Sequence, residues 1–231
     1  MMQENNLPTH IGYIVDGNRR WAKAHGLPAY EGHMAGYNAI QDVAAATFEA
    51  GVPYMSAYIF STENWKRSEE EVGKLMSLVL RLFTSDLHKF SDNNIRLRVL
   101  GSKEGVNAKI LKEIDNAEEV TKHNTGGTLG LCFNYGGQLE IADAVRAAAD
   151  AGEDMAQITP QTLSTYMYAA DIPPVDVIVR SGGDQRISNF MLWRAAYSEL
   201  VFIDKPWPDM TKEDVRSIME EYHSRQRRFG K

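Results

Sequence analysis

Six short apolar runs, each separated from the next by helical periodicity, limit what this chain can fold into more than any other feature. The runs lie at 11–15 (IGYIV), 54–60 (YMSAYIF), 95–100 (IRLRVL), 128–133 (TLGLCF), 175–179 (VDVIV) and 200–203 (LVFI). Helical patterns fill the intervals near 33–50, 68–92, 107–123, 137–151, 161–169 and 211–228. Strands joined through helices predict βαβ units and a mainly parallel sheet covered on both faces. The runs at 11–15 and 175–179 are almost continuously apolar, as strands buried on both sides should be. IRLRVL alternates and is expected at an edge. No Pro- or Ser-rich linker and no internal repeat divides the 231 residues, so one domain over 1–231 is expected, with 1–9 as a flexible tail.

Two helix starts carry capping residues: Ser68 with Glu71, and more weakly Thr211 with Asp214. The helix after Ser68 is apolar over a wide arc (Val72, Leu75, Met76, Leu78, Val79, Leu80, Leu82, Phe83). Either the whole helix is buried, or a second apolar face lines a cavity; periodicity alone leaves both open.

Charge and cysteine content narrow the function. A net charge of −6 argues against a nucleic-acid surface, which needs a summed positive field. An anionic ligand must instead be met by local arginines. The one cysteine, Cys132, excludes an internal disulfide or a multi-Cys zinc site and suits a reducing cytoplasm. The N-terminus lacks a signal-peptide pattern, and no apolar run nears the roughly 20 residues that span a bilayer. A soluble, cytoplasmic protein is expected.

In open parallel sheets, ligands bind beyond the carboxyl ends of the strands. After 11–15 comes Asp16-Gly17-Asn18-Arg19-Arg20-Trp21, and after 54–60 comes Ser61-Thr62-Glu63-Asn64-Trp65-Lys66-Arg67. After 128–133 comes Asn134-Tyr135-Gly136-Gly137, and after 175–179 comes RSGGDQRISN, residues 180–189. Parallel strands would therefore gather Asp16, Glu63, Asn64, Arg20, Arg67, Arg180 and Arg186 on one rim. Asp-Gly-Asn is also an ordinary turn sequence. Adjacent arginines opening a helix are not ordinary, because the dipole disfavours cations there unless an anion occupies the site. Singly, Trp21 and Trp65 read as packing residues, His33 as a solvated or capping residue, and Cys132 as a small buried hydrophobe.

Motifs for nucleotide binding by a P-loop or a Gly-x-Gly-x-x-Gly turn are absent, as are a Gly-x-Ser-x-Gly elbow and an Asp-Asp-x-x-Asp pair. What remains is a pocket with one or two carboxylates for a magnesium ion, two arginine-rich anion sites and a broad apolar wall.

The chain resembles the cis-prenyltransferase family, to which undecaprenyl diphosphate synthases belong. The resemblance rests on HIGYIVDGNRRWA (10–22), GHMAG (32–36), FSTENWKR (60–67), NYGG (134–137), RSGGDQRISNFMLW (180–193), AYSELVF (196–202) and RRFG (227–230), in family order over almost the whole chain. It implies a six-stranded, mainly parallel sheet with an apolar tunnel, a homodimer and a Mg2+ requirement. It also implies condensation of isopentenyl diphosphate onto an allylic diphosphate (farnesyl, geranyl or dimethylallyl), each step creating a cis double bond. By resemblance, Asp16 is the magnesium ligand and central catalytic carboxylate, and Glu199 matches a residue that completes the metal site, either within the chain or across the dimer. Gly17, Asn18, Arg19 and Arg20, with Trp21 and His33 beside them, match the allylic diphosphate site. Ser61, Thr62, Glu63, Trp65 and Arg67 match a second substrate loop, and Asn64 stands at the position of a proposed proton acceptor. Arg180, Arg186, Ile187 and Ser188 match the isopentenyl diphosphate site. Arg228-Phe229-Gly230 resembles a C-terminal motif that reaches into the neighbouring subunit.

Three departures stand out. Ala29 occupies a place where many members carry an arginine, with Arg19 as the compensating cation; Asp184 replaces a Glu; and Ile59 and Phe133 are bulky where long-chain synthases often have alanine. The last predicts a narrowed tunnel and a shorter product. The function expected is synthesis of a polyprenyl carrier lipid, with peripheral membrane contact for product release. The rivals are a short-chain or irregular synthase, a non-catalytic partner subunit of the same fold, and a phosphate-binding module. The last leaves the apolar wall unexplained.

Overall fold

The computed structural model describes residues 7–225. Among them, six strands form one parallel sheet in the order β3-β4-β2-β1-β5-β6. They are β1 (His10–Ile14), β2 (Tyr54–Ser61), β3 (Ile95–Leu100), β4 (Gly127–Tyr135), β5 (Val177–Arg180) and β6 (Glu199–Phe202). IRLRVL is an edge strand, as its alternation predicts, and every residue of β1 and β5 is buried. Successive side chains of β1 feed different cores. Ile11 and Tyr13 enter the larger cluster with Val43, Leu82, Phe83 and Trp207. Ile14 joins Tyr58, Tyr135, Phe190 and Met191 on the other face. Gly12 also faces that side, where a β-carbon would lie 2.9 Å from the Phe190 ring.

The helices are α1 (Asn18–Ala24), α2 (Ala29–Glu49), α3 (Glu69–Phe83), α4 (Leu87–Ser91), α5 (Ala108–Thr121), α6 (Gly137–Asp150), α7 (Pro160–Ser164) and α8 (Lys212–Ser224). Four expectations need correction. The helix at 68–92 is two, because the buried Asp86 breaks it. Its carboxylate accepts from Tyr37 Oη (2.7 Å), Arg81 Nε (3.0 Å) and Lys89 Nζ (3.2 Å), a tertiary knot that no local propensity signals. The segment at 161–169 is one turn with Thr159 as its cap. The helix expected from 33 begins at Ala29, which puts His33 inside α2 instead of at its start. Asn134 and Tyr135 belong to β4 and do not follow it.

The β2–β4 pairing slips twice. Tyr58 pairs with Cys132 but Phe60 with Phe133, so Ile59 is an extra residue on β2; Ser61 then pairs with Tyr135, which makes Asn134 extra on β4. Bulges of this kind re-aim side chains beside functional sites. Asn134 has a left-handed backbone (φ 48°) and accepts a hydrogen bond from Trp65 Nε1 at 2.7 Å.

Candidate active site

The strand order reverses at β1, with β2 on one side and β5 on the other, and a cleft of about 1380 Å³ opens over their carboxyl ends. Ile14 pairs with Arg180 in register, so Asp16, two residues past β1, stands beside the last residue of β5. The Asp16 backbone is fixed by Ser181, whose Oγ accepts from Asp16 N (3.1 Å) and donates to Asp16 O (2.9 Å). Gly17 turns the chain with φ 97°, and a β-carbon there would press on Pro206 at 2.9 Å.

Asp16 Oδ1 accepts from Gly17 N (2.6 Å), and Oδ2 accepts from Arg180 Nη2 (2.8 Å) and lies 3.3 Å from Arg20 Nη2. Partial burial alone would raise the Asp16 carboxyl. The hydrogen bonds from Arg180 and Gly17 and the two guanidinium charges outweigh it and hold the group below its usual range, so it is ionised. Arg180 is almost fully buried and donates through Nη1 to Arg186 O (2.5 Å) and Ser188 Oγ (2.7 Å).

Two further carboxylates each gather cations. Asp184 makes a two-pronged pair with Arg186 (3.0 and 3.1 Å) and reaches Arg20 at 3.4 Å. Gly182 permits this, since a β-carbon there would lie 2.8 Å from Arg20 Nη2. Glu71 accepts from Arg67 Nη1 (2.8 Å) and lies 3.4 Å from His33 Nε2 and 4.0 Å from Arg19. Ser68 caps α3 by accepting from Glu71 N (3.3 Å), as expected, but the Glu71 carboxylate turns to these side chains instead of back to the cap. Burial, and then the Arg67 charge, lower the His33 pKa against the pull of Glu71, so the ring is neutral near pH 7. With Nε2–H facing Glu71, Nδ1 is the unprotonated nitrogen.

α1 sits close on α2 because Gly32 and Gly36 leave room for it. A β-carbon at Gly32 would overlap the Asn18 carbonyl oxygen, and one at Gly36 the Asn18 side chain. Beside the cleft, an apolar slot of about 60 Å³ runs between α2, α3 and the sheet. Val15, Asn18, His33, Ile59 and Leu75 line both. α3 is not buried as a whole, since Gly73, Lys74, Ser77 and Arg81 are exposed; of the two readings the cavity-lining one holds, with Leu75 and Val79 packing into the core and also walling the slot.

Of the residues singled out from sequence, Asp16, Gly17, Asn18, Arg19, Arg20, His33, Ser61, Glu63, Asn64, Arg67, Arg180, Arg186 and Ser188 line the cleft. Trp21 and Trp65 do not; their indole N–H groups bond to Asp209 (2.6 Å) and Asn134. Thr62 packs over Gly136, and Ile187 packs on the core. Phe133 lies in the core against Phe60 and touches neither cavity, so of the two bulky residues only Ile59 can narrow a tunnel. Glu199 opens β6 in register with Val177, at the opposite end of the sheet from Asp16, and pairs with Arg225 (2.8 Å). The Asp16–Glu199 metal pair is therefore not formed within one chain. Arg228-Phe229-Gly230 falls outside the described residues. Asp184, Glu71 and Asn189 join the site without being among the expected residues; Asp184 and Asn189 sit inside a quoted motif, whereas the spacing of Glu71 signals only a cap.

A metal would have to be held with few protein ligands, since no group of three His, Cys, Asp or Glu residues that could hold one exists among the described residues. Asp16 still fits magnesium, which is commonly bound by one or two carboxylates and otherwise by substrate phosphates and water.

Comparison with known proteins gives the family. The family model described as putative undecaprenyl diphosphate synthase matches residues 14–230. The chain is 46% identical to a trans,polycis-polyprenyl diphosphate synthase, (2Z,6E)-farnesyl diphosphate specific, from Thermobifida fusca, over 97% of this chain and 81% of that protein. It is 43% identical to an isoprenyl transferase from Thermotoga maritima, over 97% of each. The crystal structure of lavandulyl diphosphate synthase from Lavandula x intermedia in complex with dimethylallyl diphosphate superposes with a TM-score of 0.93 at 28% identity, covering 99% of this chain and 100% of that one. A parallel sheet, an arginine-ringed carboxylate at its switch point and an apolar slot alongside thus coincide with full-length similarity, and the chain belongs to the undecaprenyl diphosphate synthase family of isoprenyl-transferring enzymes.

Proposed function

We propose that residues 1–231 act as one catalytic domain that condenses isopentenyl diphosphate with an allylic diphosphate, dependent on Mg2+, to give a prenyl diphosphate with cis double bonds. The observation that carries this reading is the ionised Asp16, bridged to Arg180 and Arg20 where a diphosphate would meet an apolar slot. In the reaction the allylic C1–O bond breaks and the diphosphate leaves. The terminal alkene carbon (C4) of isopentenyl diphosphate bonds to C1, positive charge builds on its C3, and a proton leaves C2, so that the new double bond lies between C2 and C3.

Asp16 would hold the metal, which when bound supplies neutralisation of charge on the leaving diphosphate. Arg19 and Arg20 face the allylic diphosphate; Arg180, Arg186 and Ser188 face that of isopentenyl diphosphate. Holding the two substrates side by side supplies the proximity contribution. Asn64 Oδ1 is engaged by Ser61 N (3.0 Å), so its remaining amide hydrogens can only donate. Asn64 therefore orients a phosphate oxygen, and that oxygen or His33 Nδ1 receives the proton. Glu199 completes the metal site from the neighbouring subunit of a homodimer. Carrier-lipid synthesis in the cytoplasm, with peripheral membrane contact at product release, follows from this reading. No helix among the described residues is long and apolar enough to cross a membrane.

A short-chain product is the second reading, favoured by one observation: the bulged Ile59 projects where cleft and slot meet. The test is to incubate the protein with Mg2+, labelled isopentenyl diphosphate and each of dimethylallyl, geranyl and farnesyl diphosphate, and to size the products. Chains many units long favour the carrier-lipid role, and products one or two units longer than the primer favour the short-chain role. No product with any primer would leave the partner-subunit reading in its place.

A further inference from the structure

Three quoted motifs, STEN, NYGG and RISN, meet at a residue that none of the roles above includes. Asn189 accepts at Oδ1 from Gln138 N (2.9 Å), and its backbone oxygen accepts from Gly137 N (2.7 Å). A distant loop thus satisfies the free N–H groups at the start of α6, which has no side-chain cap of its own. On its other side, Asn189 Nδ2 donates to Glu63 Oε1 at 3.3 Å. The two contacts fix the amide orientation independently, because the peptide N–H requires the oxygen and the carboxylate requires the NH2.

The surroundings are shaped to this contact. A β-carbon on Gly136 would lie 2.9 Å from Asn189 Nδ2 and from Thr62 Oγ1, and one on Gly137 would lie 2.9 Å from Asn189 O. Ser188, Asn189 and Met191 all hold left-handed backbones (φ 48°, 64° and 45°), which for residues other than glycine are adopted at a cost. Ser188 takes Arg180 Nη1, and Arg180 takes Asp16. Glu63 precedes Asn64 in the short 3₁₀ turn Thr62–Lys66. A continuous path of bonds therefore runs from Asp16 through Arg180, Ser188 and Asn189 to Glu63 and Asn64.

We infer that Asn189 is a positioning residue that sets the spacing between the Asp16–Arg180 side of the cleft and the Asn64 side, by tying the 180–192 loop to the 61–67 turn. This deepens the proposed function and rests on it for its kinetic consequence. Asn189→Asp keeps the acceptor over α6 and tolerates the left-handed backbone, but it sets two carboxylates against each other at Glu63. The expected result is a fall in kcat/KM of about tenfold with the thermal midpoint nearly unchanged, the scale of one hydrogen bond to a charged group. Measured against Glu63→Gln alone, adding Asn189→Asp should then cost little, because the amide introduced at position 63 can donate to the carboxylate introduced at position 189.

Hydrogen exchange over 61–67 should accelerate in Asn189→Asp and return toward wild type in the double variant. This readout needs no turnover, so it separates failure of the inference from failure of the functional reading. Unchanged kcat/KM and exchange in Asn189→Asp, or the same fold loss when Asn189→Asp is added to Glu63→Gln as when it is added to wild type, overturns the inference. Should Asn189→Asp not fold, Asn189→Gly with Glu63→Ala completes the cycle. A double variant no worse than the poorer single supports the link, and simple additivity overturns it.

Discussion

Asp16 carries the central carboxylate, and its surroundings keep it charged without closing it off. Oδ2 is shared by a buried and an exposed guanidinium, and Oδ1 by a peptide N–H. Asp16→Asn preserves the shape and removes the charge. A loss of about a hundredfold or more in kcat is expected, with stability little changed, measured by turnover and thermal unfolding. His10 sets a different pH dependence. It is fully buried at the start of β1, with Nδ1 2.9 Å from Pro173 O and Nε2 2.9 Å from Ser56 Oγ. Burial lowers its pKa from 6.5 to about 4. The unfolded chain binds this proton more readily, so the contribution is full above pH 6.5 and is lost as pH falls toward 4. It amounts to about 3 kcal/mol at one pKa unit per 1.36 kcal/mol. Denaturant unfolding at pH 7 and 4.5 checks this: the difference should shrink in His10→Gln.

At the scale of elements, α1 reaches the cleft through the two glycines of α2. Gly36→Ala should displace α1, cost about 1–3 kcal/mol by overpacking and raise KM for the allylic substrate, read by unfolding and initial rates. The bulge in β2 is a second device: Ile59→Ala opens the junction of cleft and slot, and longer products are expected by chromatography. Unchanged length would remove Ile59 as the limit. Much of this level is legible in the sequence. Continuous apolar runs locate the central strands, alternation locates the edge strand, and Thr211 with Asp214 forms the capping box its spacing predicts (Thr211 N to Asp214 Oδ2, 2.7 Å). The break at Asp86 and the bulges at Ile59 and Asn134 are not legible, because tertiary partners produce them, with neither Pro nor Gly at those positions. The role of Glu71 is hidden for a related reason: its spacing fits a cap, but Arg67, Arg19 and the neutral His33 ring compete for its carboxylate and win.

For the whole molecule, topology accounts for most of the site. Residues 16, 64 and the 180–186 loop are far apart in sequence and line one cleft because parallel strands end together. The same rule places Glu199, at the start of its strand, on the edge strand and at the opposite end of the sheet from Asp16. Knowing that strands are parallel tells which loops meet, but not which carboxylates will hold which arginines. On the proposed reading this cleft transfers an isoprenyl unit and forms a cis double bond. The most direct test is the geometry of the new double bond, read by NMR on product made from carbon-labelled isopentenyl diphosphate, an allylic diphosphate and Mg2+. A cis bond is the predicted result, and a trans bond or no coupled product would contradict it.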